Sequence, residues 1–389
     1  MAKPVDARDP RLDFFRGLAL LIIFVAHVPY NPASQFIPAK FGWSDAADMF
    51  VFMSGCAAAI AFGGTFLRAG WPIGSARILF RCWQLYFSHI VLFFVILAVS
   101  IGTTRWTGTG VDYIRELNLY PFLEHPADGT LRLFLLTYVP NYFDILPVYL
   151  VVLAIVPIAM LLARLHPWLP FAASLALWLY NMAFPIFLPA DLVLPQRPWF
   201  LNPFAWQVIF FTGFCLVRGW ITPPPPRRWL FWLCVLFLVV SLFGAHAFFF
   251  MRSEAVRAMG LFLLDLSFKT NYGPVRYLHF LASAYVVLYL LRGYEQWLPR
   301  LFAPVMKIGQ QGLATFLFGM VLARLGGVVL DATGRDFQSV LLVNAVGIAL
   351  NIACAYTVAW FKSTPWKGGE RHRLHPRTGT LAAARAARA

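Results

Sequence analysis

The stretch Leu12-Asp13-Phe14-Phe15-Arg16-Gly17-Leu18-Ala19-Leu20-Leu21-Ile22-Ile23-Phe24-Val25-Ala26-His27-Val28-Pro29 decides the fold. It is apolar and long enough to cross a bilayer as a helix, yet it contains a guanidinium and an imidazole. Arg16 and His27 are eleven residues apart, close to three helical turns. Both side chains therefore lie on one face, about 16 Å apart along the axis. Either group costs several kcal/mol in hydrocarbon unless it faces a pocket, a pore or a partner. The pair marks a polar face leading into the membrane interior.

The rest of the chain agrees with a membrane setting. Of 389 residues, 60% are hydrophobic and 13% charged, with a mean hydropathy of +0.68. Soluble domains carry about 25% charged residues. The 38 Phe, 14 Trp and 14 Tyr suit lipid-facing surfaces and interfacial belts. The pattern predicts an all-α polytopic bundle of about ten spans, near 12–29, 47–67, 78–101, 142–163, 168–188, 204–220, 228–251, 275–292, 308–330 and 338–361. A net charge of +15 would suggest nucleic acid in a soluble protein. Here its distribution gives a topological reading instead. Alternate connections, the set that includes both termini, hold 21 Lys and Arg against 10 on the opposite side, with Arg324 left inside a span. Positive-inside logic places both termini in the cytoplasm.

Residues 1–361 read as one integral membrane domain and 362–389 as a basic, disordered cytoplasmic tail ending in an Ala/Arg-rich run. Arg16 interrupts what would be the apolar core of a signal peptide, so the first helix reads as uncleaved. Thr222-Pro223-Pro224-Pro225-Pro226 is a stiff connector. Five cysteines stand singly, without metal-ligand or disulfide spacing. On the outer side, connections 102–141 and 252–274 are long enough to carry a function or enclose a lumen.

Candidate chemistry gathers around His27. Imidazole titrates near neutrality and can take a proton from a hydroxyl as general base; the bland alternative is a structural histidine bonded to a neighbouring helix. Phe41-Gly42-Trp43-Ser44-Asp45-Ala46-Ala47-Asp48 opens the second span from the same side. Ser44 is the expected N-cap, and Asp45 and Asp48 complement the helix dipole. One of them, with Asp48 favoured, is also expected to hold the His27 tautomer, as in acyl-transfer dyads. On the cytoplasmic side Arg77 and Arg81, with Arg16, could hold the phosphates of an acyl carrier such as coenzyme A; ordinary positive-inside anchoring is the simpler reading of Arg77 and Arg81. Asp144 begins a span at the outer rim, and Lys269, Arg276 and His279 run from an outer loop into span eight. These four are candidates for binding an acceptor or an anionic acyl group, or for pairing at the rim. No Walker A loop or GxSxG elbow is present, and Gly309-Gln310-Gln311-Gly312 reads as the start of span nine.

Arg16 with His27, followed by Phe50-Val51-Phe52-Met53-Ser54-Gly55, resembles the membrane acyltransferase-3 superfamily. The closer resemblance is to the OpgC family. It is carried by Asp13-Phe14-Phe15-Arg16-Gly17, Phe41 to Asp48, Asp144-Ile145-Leu146-Pro147, Asn202-Pro203-Phe204-Ala205-Trp206-Gln207, and Lys269-Thr270 through His279-Phe280. The resemblance implies transfer of an acyl group, succinyl for the family, from a cytoplasmic acyl-CoA to an osmoregulated periplasmic glucan or other envelope carbohydrate. In this reading His27 is the base, Arg16 its essential companion, acyl-CoA (succinyl-CoA) a co-substrate, and no cofactor is permanently bound. The chain departs from the family pattern at Ala26 and Phe268, where acids are usual, and at Gly312, where Ser is usual. The competing readings are a glycan or lipid-intermediate transporter without acyl transfer, a non-catalytic partner of a glucan synthase, and transfer to an amino sugar.

Overall fold

Asp9 and Pro10 set the start of the first helix, α1 (Pro10–His27). The Asp9 carboxylate accepts from Arg11 N at 2.9 Å, and Pro10 occupies the first turn, where its missing N–H is not needed. Pro29 sets the end: Val28 turns extended, as residues before proline do, and the helix closes at His27. The computed structural model describes residues 9–191, 197–246 and 253–367. No β-strand occurs among them. The expected disordered tail begins inside a helix, and its residues 368–389 lie outside the described ones.

The second element, α2, spans Ala46–Trp106 as two helical segments joined across a kink at Gly70. At 61 residues it would be about 90 Å long if straight, far more than one bilayer. Gly70, at φ 80°, breaks its axis, with Pro72 just beyond. Two of the expected spans thus lie on one bent helix, and the loop anticipated between them is helical. Short helices α3 (Tyr113–Glu116), α4 (Tyr120–Glu124) and α5 (Pro126–Phe134) fill the long 102–141 connection. They are followed by α6 (Ile145–Leu165), α7 (Leu169–Ala183), α8 (Pro203–Arg218), α9 (Arg228–Ala245), α10 (Glu254–Leu266) and α11 (Pro274–Leu290). The chain closes with α12 (Leu298–Leu301), α13 (Ala303–Gln310), α14 (Gly312–Thr333) and α15 (Phe337–Lys362). Where one span was expected over 308–330, the chain breaks at Gln311 into α13 and α14. Connection 252–274 is occupied mostly by α10 rather than by loop.

Among the described residues, five helices are long and apolar enough to cross a membrane: α2, α6, α9, α14 and α15. A sixth candidate is α11 joined through an 85° bend to Glu295–Leu301, while α7 and α8 are apolar but shorter. The protein is therefore an all-helical, membrane-embedded bundle.

Small residues let the central helices touch backbone to backbone, as membrane bundles require in the absence of a hydrophobic force between helices. A Cβ at Gly17 would collide with the Val305 carbonyl, and one at Gly309 with the Asp13 carbonyl, so α1 and α13 approach through reciprocal glycines. The same device joins α2 to α8, where Gly55 meets the Phe210 carbonyl and Gly213 the Phe52 carbonyl. Around this contact Trp206, Phe210, Phe211 and Phe214 are fully buried. All five cysteines are free thiols.

Candidate active site

Several helices end against one another instead of running the full thickness of the bundle. The end of α1, the starts of α2 and α6, and the loop before α11 surround a cavity of about 780 Å³. His27, Asp45, Glu116, Tyr142, Asp144 and Lys269 line it, together with Arg197 and Phe200.

The depth of His27 follows from its neighbour on α14. Arg324 Nη2 donates to the His27 carbonyl at 3.1 Å. Arg324 precedes the end of α14 at Thr333 by nine residues, about 14 Å of helix. His27 is the last residue of α1 and so stands at the end of its span, where its carbonyl meets α14 about 14 Å short of that helix's own end.

The His27 ring is oriented by the backbone: Nδ1 lies 2.7 Å from the Ile23 carbonyl. A carbonyl only accepts, so in the neutral ring Nδ1 carries the proton and Nε2 is the acceptor. Nε2 makes no hydrogen bond among the described residues. No carboxylate hydrogen-bonds the ring among the described residues, although Asp45 lines the same cavity. Asp48 is fully buried and engaged elsewhere: Arg276 Nε donates to its Oδ1 at 3.1 Å, Arg276 Nη2 to its Oδ2 at 2.7 Å, and Asp45 N to Oδ2 at 2.7 Å. Asp45 Oδ2 accepts from Lys269 Nζ at 2.6 Å and Arg276 Nη2 at 2.9 Å. The acids thus serve a four-membered ion network joining α2 to α11.

Asp45, not Ser44, is the N-cap of α2; it accepts from Ala47 N, and Asp48 returns a bond to its backbone as a capping box. Ser44 is released to bond His279 Nδ1 at 2.7 Å. The His279 ring lies edge-on to Trp43 and Phe237, against Gly42. Lys269 is held at the cavity by indole donors: Trp206 Nε1 reaches the Lys269 carbonyl at 2.9 Å and Trp178 Nε1 the Tyr272 carbonyl at 2.9 Å. Asp144 Oδ1 accepts from Phe200 N at 3.0 Å. Of the outer candidates, Asp45, Asp144 and Lys269 share the cavity with His27, whereas Asp48, Arg276 and His279 stand behind its wall.

Towards the other end of α1, Arg16 packs over Gly312; a Cβ there would fall 2.7 Å from Arg16 Nη2. The glycine makes room for the guanidinium. Arg81 Nη1 donates to Gln84 Oε1 at 3.0 Å. Arg77 turns back across the α2 bend, to Thr65 Oγ1 at 2.5 Å and the Phe62 ring at 5.4 Å.

Four cavity or near-cavity residues escape the sequence reading. Arg197 pairs with Asp191 at 2.9 Å and donates to Asn141 at 2.7 Å. Glu116 has no side-chain partner among the described residues, and burial pushes its carboxyl above the ordinary glutamate range against the pull of Arg324. Arg324 carries its own signal, a charge in mid-span. Tyr142 carries none.

A largely apolar chamber holding a backbone-oriented histidine and several charged side chains thus lies within the helical bundle of a membrane-embedded protein. The chain belongs to the OpgC family: a family model described as OpgC protein matches residues 8–363. That membership supports, at the level of the family, a glucan-modifying transferase role. No curated protein matches the chain.

Proposed function

We propose that the protein is an inner-membrane O-acyltransferase of the acyltransferase-3 type, moving an acyl group from a cytoplasmic acyl-CoA to a periplasmic glucan or related carbohydrate. The bundle crosses the membrane about ten times in this reading, with both termini cytoplasmic. The observation that carries it is His27 itself, whose Nδ1 is satisfied by Ile23 O while Nε2 remains an acceptor beside a cavity. Arg16 lies on the same helix three turns below, and it is assigned with Arg81 to the donor's phosphates, which forked guanidinium donors suit.

The chemistry then follows. The donor's phosphates rest at Arg16 and Arg81, and its thioester reaches His27 along α1. A sugar hydroxyl descends from the other side and attacks the carbonyl carbon while His27 Nε2 takes its proton. The tetrahedral intermediate collapses, the carbon–sulfur bond breaks, and the thiolate recovers the proton from the imidazolium. Succinyl is the acyl group that the family suggests.

The test is mass spectrometry of periplasmic glucans and envelope polysaccharides from a deletion strain, its wild-type complement and its His27→Ala complement, at matched protein levels. An acyl increment present only with the wild-type gene supports the proposal and names the group. Identical spectra in all three refute glycan acylation and favour transport.

A further inference from the structure

Tyr142 sits in a backbone conformation that its side chain disfavours. Phe143 N bonds the Pro140 carbonyl at 3.2 Å, closing a four-residue turn in which Tyr142 takes the third position at φ +72°. Turns of this kind reserve that position for Gly or Asn. A tyrosine persists there only when its surroundings over-determine it, and such outliers cluster at functional sites.

The surroundings are specific. The Arg324 guanidinium lies 4.7 Å from the Tyr142 ring centroid. The His27 ring packs against it at 5.2 Å with an interplanar angle of 66°. Arg324 also donates to the His27 backbone carbonyl at 3.1 Å, so one buried side chain meets both the Tyr142 ring and the residue that carries the imidazole. Tyr142 lines the cavity, is 49% exposed, and its hydroxyl has no hydrogen-bond partner among the described residues. An O–H donor is thus held beside the base with nothing to donate to.

We propose that Tyr142 is a catalytic residue whose hydroxyl donates to the oxyanion formed at the donor's thioester carbonyl, and that Arg324 is the positioning residue for it. This rests on the acyl-transfer reading. When the sugar oxygen bonds the carbonyl carbon, the carbonyl π pair moves onto oxygen and the proton passes to His27 Nε2. Tyr142 Oη–H donates a hydrogen bond to that oxyanion without giving up its proton. On collapse the pair returns to the carbonyl, sulfur leaves as thiolate, and the thiolate takes the proton from His27. Donors aimed at charge that exists only in the transition state act on turnover.

The decisive variant is Tyr142→Phe. It keeps the ring between Arg324 and His27 and sacrifices no hydrogen bond, so its thermal midpoint should match wild type. Purified protein in lipid nanodiscs is given succinyl-coenzyme A with a linear glucan oligosaccharide, and separately succinyl-coenzyme A with water alone as acceptor. Transfer and hydrolysis pass through the same oxyanion. Both should fall together by roughly 10²–10³-fold in kcat, with the KM for the glucan unchanged. Arg324→Met should reproduce part of the loss, because the ring is no longer held. If Tyr142→Phe retains full turnover while His27→Ala is dead, the oxyanion role is refuted and the acyl-transfer reading stands. If transfer falls and hydrolysis does not, Tyr142 binds acceptor and the proposal is equally overturned. Wild-type protein that cleaves no thioester refutes the acyl-transfer reading itself.

Discussion

Replacing Asp48 with asparagine separates the two roles open to this residue. Its carboxylate is fully buried and accepts Arg276 Nε at 3.1 Å, Arg276 Nη2 at 2.7 Å and Asp45 N at 2.7 Å. With Asp45 and Lys269 the cluster holds two anions and two cations. Asp48→Asn leaves one net positive charge in a buried site. It also sets an amide N–H₂ against a guanidinium donor, although the amide oxygen can still accept from Asp45 N. Breaking a buried pair costs about 3–5 kcal/mol, and the retained cap places this variant near the lower bound, about 3 kcal/mol. The double variant Asp48→Asn with Arg276→Met restores neutrality through Asp45 and Lys269, so it should cost less than the two single losses added. The assay is denaturant unfolding in lipid nanodiscs followed by tryptophan fluorescence. Turnover per folded molecule is measured alongside and should stay within a few-fold of wild type, because Asp48 does not line the cavity. Stability within about 0.5 kcal/mol of wild type, the range of ordinary surface substitutions, would refute the network argument. Intact stability with turnover down by 10²-fold or more, the scale of a lost catalytic group, would return Asp48 to the chemistry.

Further outcomes follow from other parts of the structure. His27→Ala should cost 10²–10⁴-fold in turnover, the worth of a positioned base, with an unchanged unfolding midpoint; near-normal glucan acylation by this variant counts against the mechanism. Gly213→Val drives a side chain into the Phe52 carbonyl and Cys56 and should destabilise by about 1–3 kcal/mol or more, as overpacking does, read by the same unfolding assay. Burial raises the Glu116 carboxyl in the folded protein, so the folded chain holds that proton more tightly than the unfolded one. Stability should therefore fall as pH rises through the window just above the ordinary glutamate range. Glu116→Gln should flatten that slope, and an identical pH profile in both proteins would sink the argument.

Much of the architecture is legible in the sequence because hydropathy and length are local properties. Helix covers most of each expected span, although 184–188 is non-helical and 247–251 lies outside the described residues. What hydropathy misses is continuity: a glycine at 70 bends a helix without ending it, and Gln311 ends one inside an apolar run. At the site, Arg16 and His27 are visible because ionised or ionisable groups stand out against apolar sequence. The pairings are not visible. Asp48 is closer in sequence to His27 than to Arg276, yet packing hands it to Arg276, and the histidine takes a carbonyl of its own helix instead. Tyr142 hides because a tyrosine in an aromatic-rich chain carries no compositional signal. Only its φ and its neighbours distinguish it.

The spacing of Arg16 and His27 along α1 has an energetic consequence for the proposed reaction. With the phosphates held at Arg16 and the base three turns further on, the donor's nucleotide stays on the cytoplasmic side in this reading, and only the acyl group completes the crossing. Each turnover then exchanges an outward acylium for an inward proton. A neutral acyl group makes that exchange electrically silent. A succinyl group carries a carboxylate outward as well, so one negative charge leaves an inside-negative compartment per cycle, and the membrane potential contributes about 2.3 kcal/mol per 100 mV to driving it.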